Sequence, residues 1–280
     1  MRALDQVQHL GWETFSHSPL NVYQLSEFNL SFYGKVLQEE GPFALKFAPA
    51  EVDISDYEVF REFLPQWKKD KEEVFNGKVN RASLPIALCR WTTWADIVEK
   101  SHITGVNSVE IRLIWYNPAV YEPTLFNVRF QDIILENNKC YSKDGDRDAF
   151  LCAESYLDIQ KKVIGNREWF QHTLVSKNIS KETMLETVLK ENFALRITFL
   201  PENQFDMSHP ISPFAENKVM ASFWDFMDHL HIAGPSEYPQ LLNGLSAVKP
   251  GIGLDPTTGK PKTTEESKKT ESLENNDWGW

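Results

Sequence analysis

The sequence predicts an α+β protein: a mainly antiparallel sheet with packed helices, followed by a disordered C-terminal tail. Three observations predict it. Val109–Phe130 reads VEIRLIWYNPAVYEPTLFNVRF, two β-branched and aromatic runs joined by turn residues, and Leu20–Leu37 and Phe193–Leu200 have similar strand composition. Other stretches, Ala215–Ile232 among them, instead place apolar residues three and four apart, the helical spacing. From about Gly251 the chain turns to Thr, Lys, Glu, Pro and Ser, and from Asp255 to Asn276 only Leu273 is a large apolar residue. Such a segment buries too little surface to offset its ordering entropy.

With 280 residues the chain is long enough for a sizeable core. The expected organisation is a globular body over 1–254, with a sub-boundary near 100–107, and a tail over 255–280. Nine Trp supply large apolar anchors for a core or a binding surface.

Within the body, Val22, Leu25, Phe28, Leu30, Phe32 and Val36 alternate with polar residues, Gly41-Pro42 marks a turn, and Phe43–Phe47 is a further short strand. Ile54, Tyr57, Phe60, Leu64 and Trp67 give helical spacing over 53–76, capped by Asp53 or Ser55 and broken at Pro65. Leu84–Trp94 begins as a strand, and Trp91, Trp94, Ile97 and Val98 then suggest a helix to about Lys100. In the central stretch, Val109–Trp115 and Thr124–Phe130 both show period-2 patterning. Asn117-Pro118 and Glu122-Pro123 punctuate the connection, so a β-hairpin is expected, with Asp132–Glu136 continuing its β character. Ala153–Ile164 reads as a helix ended by Gly165-Asn166. Ser180–Lys190 reads as a second, with Met184, Leu185, Val188 and Leu189 on one face. Phe193–Leu200 reads as a buried strand, and Ala215–Ile232 as a helix stopped by Gly234-Pro235.

A nucleic-acid binder needs a basic face to neutralise phosphates; the formal charge is −11, and no local basic patch stands out in the sequence. The Lys-rich segments at 68–71 and 161–162 have acids close by and read as solvated faces. Cys89, Cys140 and Cys152 are odd in number, widely spaced and without a CxxC pair, which argues against a disulfide framework or a zinc finger and for a reducing compartment. The first residues lack an apolar signal region, and no run approaches the ~20 apolar residues of a membrane span. A cytoplasmic or nuclear location is expected.

No Gly-rich phosphate loop, G-x-S-x-G elbow or H-E-x-x-H is present, and no cofactor is expected. Asp144, Asp146 and Asp148 open like a calcium loop, but Ala149 and Ser155 replace its Gly and bidentate Glu, leaving a hydrated loop. Asp225 and His229 are four apart on a helix, a spacing for local ion pairing; His229 and His231 point too far apart to share a metal. His209-Pro210 lies at a strand–loop–helix junction. The tail ends Asp277-Trp278-Gly279-Trp280, two aromatics on a polar linker. That arrangement suits a short linear motif for a partner's groove.

The stretch Trp115-Tyr116-Asn117-Pro118 with Tyr121-Glu122-Pro123-Thr124-Leu125 resembles the hairpin of the autophagy-type conjugating enzymes, which carry a ubiquitin-like protein as a thioester. His209-Pro210 matches the first two residues of that family's His-Pro-Cys tripeptide, and Ala215–Gly234 its following helix. The resemblance spans at most 107–254. It implies a ubiquitin-like conjugation or autophagy pathway and a ubiquitin-like protein as partner. Ile211 stands where the nucleophilic Cys belongs, and Ile offers neither a nucleophile nor a leaving group. The leading expectation is therefore a non-enzymatic adaptor recruiting a protein through Asp277, Trp278 and Trp280. One alternative is an active conjugating enzyme using a Cys outside the tripeptide, with Cys152 and His209 as the catalytic candidates. Another is a single-strand nucleic-acid-associated protein with a partner-binding aromatic tail.

Overall fold

The computed structural model describes residues 7–12, 14–37, 47–55, 57–63, 80–97, 102–143, 150–165, 167–176, 181–202 and 213–234. These form an α+β fold of two sheets. The larger is built from β1 (Val7–Trp12), β5 (Arg81–Ile97), β6 (His102–Tyr116), β7 (Phe150–Leu151), β8 (Gln160–Ile164), β9 (Arg167–Ser176), β10 (Lys181–Lys190) and β11 (Phe193–Glu202). Its order is β1-β5-β6-β11-β10-β9-β7, with β8 also on β9, and every pairing is antiparallel. The smaller contains β2 (Leu20–Leu25), β3 (Phe28–Tyr33), β4 (Glu51–Val52) and β12 (Leu230–Ala233), in the order β12-β3-β2-β4. The helices are α1 (Tyr57–Glu62), α2 (Pro123–Phe126), α3 (Phe130–Lys143) and α4 (Pro213–Asp228). Among the described residues no helix is long and apolar enough to cross a membrane.

The large sheet buries both faces, and each has its own apolar cluster. Leu84, Val109, Ile111, Leu185, Leu195, Ile197 and Phe199 point towards the small sheet and α4. Ile114, Tyr116, Phe170 and Ala194 point the other way, against Phe126, Phe130, Ile133 and Ile134 of α2 and α3. The alternation of side chains along a strand sends neighbours to opposite layers. On the first side, Trp91 stacks on Phe199 and Phe226, and its indole donates to Ser222 Oγ at 3.0 Å. Phe226 also touches Phe32 of the small sheet, so one aromatic column joins the large sheet, α4 and the small sheet.

The tight turns carry the unusual backbone. Ser26 (φ 52) closes the β2–β3 hairpin, its hydroxyl bonded to Asp53 and accepting from Ile54 N–H. Asn192 (φ 63) closes β10–β11 and donates its amide to Tyr121 O at 2.9 Å. Asn tolerates this left-handed region better than most residues. Pro85, inside the central strand β5, sits where the pairing with β6 slips by one residue, a bulge that spares a ladder bond.

Several sequence expectations need correction. Val109–Trp115 is a strand, but its partners are β5 and β11 rather than Thr124–Phe130. That second run is helical: Arg129 N–H bonds Leu125 O and Ile133 N–H bonds Arg129 O, both at 2.9 Å, carrying one helical path from α2 into α3. Asp132–Glu136 lies within α3 and not in a strand. β5 stays extended to Ile97, so no helix begins at Trp91. Ala153–Ile164 is a single 3-10 turn at Tyr156–Asp158 followed by β8, and Ser180–Lys190 is the strand β10. The helix over 215–232 ends at Asp228 and passes into β12. The helix expected over 53–76 is described only as α1, and residues 43–46 of the short strand expected at Phe43–Phe47, like the tail 255–280, lie outside the described residues.

Candidate functional site

The sequence-predicted site residues divide sharply. His209, Asp277, Trp278 and Trp280 lie outside the described residues. Cys152 follows β7 and is half-buried; burial first, then the charge of Glu154, pushes its thiol up. Cys89 is fully buried on β5, and burial raises it strongly. Both thiols are thereby held in the protonated form, the opposite of what a thioester-forming nucleophile needs. Cys140 falls on α3, its side chain outside the described set. Asp225 and His229 are brought together as their spacing implies: His229 Nδ1 lies 2.8 Å from Asp225 O and 3.4 Å from its carboxylate, whose other oxygen accepts from Trp12 Nε1 at 2.8 Å. That arrangement pins the end of α4 to β1. Among the described residues no group of three or more His, Cys, Asp and Glu is placed to hold a metal.

The structure adds a cluster that sequence reasoning missed. Glu186, 1% exposed on β10, lies opposite Arg196 on β11. Its Oε1 accepts from Arg196 Nη2 at 3.1 Å and lies 3.0 Å from His172 Nε2 on β9, while Oε2 accepts from Tyr116 Oη on β6 at 3.4 Å. Burial opposes the carboxylate's charge, but Arg196, the His172 hydrogen bond and the further positive field of Arg81 win, holding Glu186 down at about 2. One strand along in the same row, Arg112 faces Arg196 across β6–β11, and like charges in register repel. Glu186 neutralises one; Glu110 takes the other at 2.5 Å, with Ser83 Oγ accepting from Arg112 at 3.3 Å. A carboxylate held ionised near neutral pH with both oxygens occupied is a poor proton carrier. The cluster fixes the register of four strands instead.

A second feature lies on the surface. Val128 is 83% exposed and Leu125 42%, one turn apart on the helical path from α2 to α3. Asp132, one turn beyond Val128, accepts from the Tyr156 hydroxyl, and Gln131 Nε2 donates to Tyr156 O at 3.4 Å. These bonds hold the 3-10 turn against α3 one helical turn from Val128, and leave Tyr156 58% and Leu157 93% exposed. The turn itself is fixed by a reciprocal capping box of Ser155 and Asp158. Isolated exposed apolar residues are commonplace, whereas a group held on a fixed frame is a candidate contact surface.

No protein-family model, curated protein or solved structure matches this chain. The surface group had one sequence signal: Val128 sits between Phe126 and Phe130, whose four-residue spacing leaves it on the outer side of a helix.

Proposed function

We propose that this chain is a non-enzymatic interaction protein, which recruits one protein through Asp277, Trp278 and Trp280 and presents a second contact surface on the α2–α3 path. The observation that carries the reading is the fixed apolar group of Leu125, Val128, Tyr156 and Leu157, exposed on a hydrogen-bonded frame. The state of Cys89 and Cys152, both shifted away from thiolate, supports a binding role over thioester transfer. The likeness of Trp115–Pro118 and Tyr121–Leu125 to the hairpin of the autophagy-type conjugating enzymes stops at the sequence, because Pro123–Phe126 is helical and β6 pairs with β5 and β11; His209-Pro210, with Ile211 at the nucleophile position, is what still supports a place beside a ubiquitin-like conjugation system in the cytoplasm or nucleus.

The test is incubation of the full chain with an activated ubiquitin-like protein, analysed on a non-reducing gel. No adduct is expected. A reducible adduct lost on Cys152→Ser overturns the proposal. In parallel, affinity capture with the wild type is expected to retain a partner that the Trp278→Ala/Trp280→Ala variant loses at unchanged thermal stability.

A further inference from the structure

We infer that the α2–α3 surface takes a basic amphipathic segment of a partner protein, an apolar stripe flanked by Lys or Arg; this deepens the interaction reading and rests on it. Asp132 and Glu136 stand on α3 and Glu154 and Asp158 flank Tyr156 and Leu157 in the chain, against Arg129 and Lys139; Lys161, on this side of the sheet over Phe170, is paired with Glu168 at 3.4 Å. Arg129 is shared, its Nε 3.5 Å from Asp132 and its Nη2 3.4 Å from Glu136, so one cation serves two carboxylates. Tyr156 and Ser155 occupy oxygens of Asp132 and Asp158 by hydrogen bonding, which leaves their negative charge in place. The rim is therefore acidic around an uncovered apolar centre, and its complement is apolar at the middle and basic at the edge.

Charge disfavours the two occupants nearest to hand. The chain's own Trp278 and Trp280 are carried on a segment, Glu271–Trp280, with Glu271, Glu274 and Asp277 and no base. Bringing it to this surface sets acid against acid. A second copy docking face to face would oppose Asp132 and Glu136 to themselves, because a two-fold contact pairs a surface with its own image, and each chain already carries −11. The tail and the α2–α3 surface are then separate sites with different partners' chemistry, and the protein can bridge the two.

The surface sits on a helical path packed through Phe126 and Phe130 onto Tyr116 and Phe170 of the sheet, with Tyr116–Phe126 centroids 5.1 Å apart and Phe130–Phe170 5.4 Å. A preformed platform does not have to be ordered at the moment of binding, which favours capture of a flexible partner segment.

The experiment uses the full chain and two synthetic helical peptides with one identical leucine face, flanked by Lys in one and by Glu in the other. Titration followed by fluorescence anisotropy is expected to show the Lys peptide binding at least about tenfold tighter, and weakening as salt rises from about 50 to about 300 mM. Val128→Asp and, independently, Leu157→Asp are each expected to lower the Lys peptide's affinity at least about tenfold at unchanged circular dichroism; both side chains are exposed, so folding is spared. Equal binding of the two peptides, or indifference to both substitutions, overturns the inference. Tighter peptide binding by Trp278→Ala/Trp280→Ala identifies the tail as occupant, and a concentration-dependent dimer abolished by Val128→Asp identifies a second copy; either also overturns it. These failures leave the tail-mediated interaction reading standing, which is tested separately by the Cys152-dependent adduct and by partner capture through Trp278 and Trp280.

Discussion

Glu186 and Arg196 face each other across β10 and β11, their carboxylate and guanidinium 3.1 Å apart, in a layer where His172 and Tyr116 occupy the rest of the carboxylate. The folded state holds Glu186 at about 2, below its ordinary 4.5. A depressed carboxyl contributes stability that is fully present above its unfolded value and lost as pH falls through the folded one. Urea midpoints are therefore expected to hold from neutral pH to about 5 and then to decline towards about 2. Glu186→Gln removes that contribution and leaves Arg196 beside Arg112 without it, costing about 3–5 kcal/mol at pH 7. On acidification the gap between variant and wild type should narrow. A gap constant from pH 7 to 2.5 would show that the carboxylate's charge is not what matters.

Trp91 makes a separable prediction. It stacks on Phe199 at 5.7 Å and Phe226 at 5.8 Å and meets Phe15 edge-on at 5.0 Å. Trp91→Ala opens a cavity where the large sheet meets α4 and is expected to cost about 3–5 kcal/mol. Trp91→Phe keeps a ring in the column and loses only the bond to Ser222, whose hydroxyl still donates to Val219 O at 2.7 Å, so about 1–2 kcal/mol is expected. Urea denaturation of the two variants checks the order. Equal losses would mean that the hydrogen bond, and not the column, carries the residue's contribution.

How much of this was legible follows from particular residues. Val109–Trp115 and Phe193–Leu200 were readable as strands, and the structure pairs them with each other. Thr124–Phe130 misled because Phe126, Val128 and Phe130 alternate. The period-2 reading requires Val128 inside, yet only Phe126 and Phe130 are buried, four apart, and Val128 is solvent-facing. Ser180–Lys190 misled for the opposite reason. Residues 183–187 are all buried because both faces of β10 are covered, so alternation disappears and Met184, Leu185, Val188 and Leu189 mimic a helical stripe. The Glu186 cluster had no sequence signature. Tyr116, His172, Glu186 and Arg196 come from four strands and meet through the register alone.

The two described thiols should differ in kinetics. Cys89 is sealed in the core and should react with a thiol reagent only as fast as the protein opens, with a rate that rises with urea. Cys152 is reachable, but its raised thiol should react more slowly at pH 7 than a free cysteine and accelerate above pH 9. Mass spectrometry of alkylated peptides in a Cys140→Ser background separates the two. Rapid labelling of Cys152 at pH 7 would mark it as an activated thiol and reopen thioester chemistry.

Gly165 gives the cleanest test of backbone conformation. It closes the β8–β9 hairpin at φ +61, and a Cβ built there meets nothing within 4 Å. Gly165→Ala therefore carries no steric cost from neighbours, only the left-handed penalty of about 1 kcal/mol. Asn tolerates the region better, so Gly165→Asn should lose less. The hairpin holds Lys161 over the Phe170 ring at 5.1 Å and Lys162 over Trp224 at 4.1 Å, which ties this edge to the core on both sides of the sheet. Hydrogen exchange in Gln160–Ile164 is expected to rise in the Ala variant while β10 and β11 stay protected. Gly34→Ala provides the contrast: its Cβ would come to 3.4 Å from Cys89 Sγ, so any loss there arises from packing against β5 and should appear as faster exchange in β5 rather than β8. The same exchange pattern from both variants would show that the β8–β9 edge does not open independently of the core.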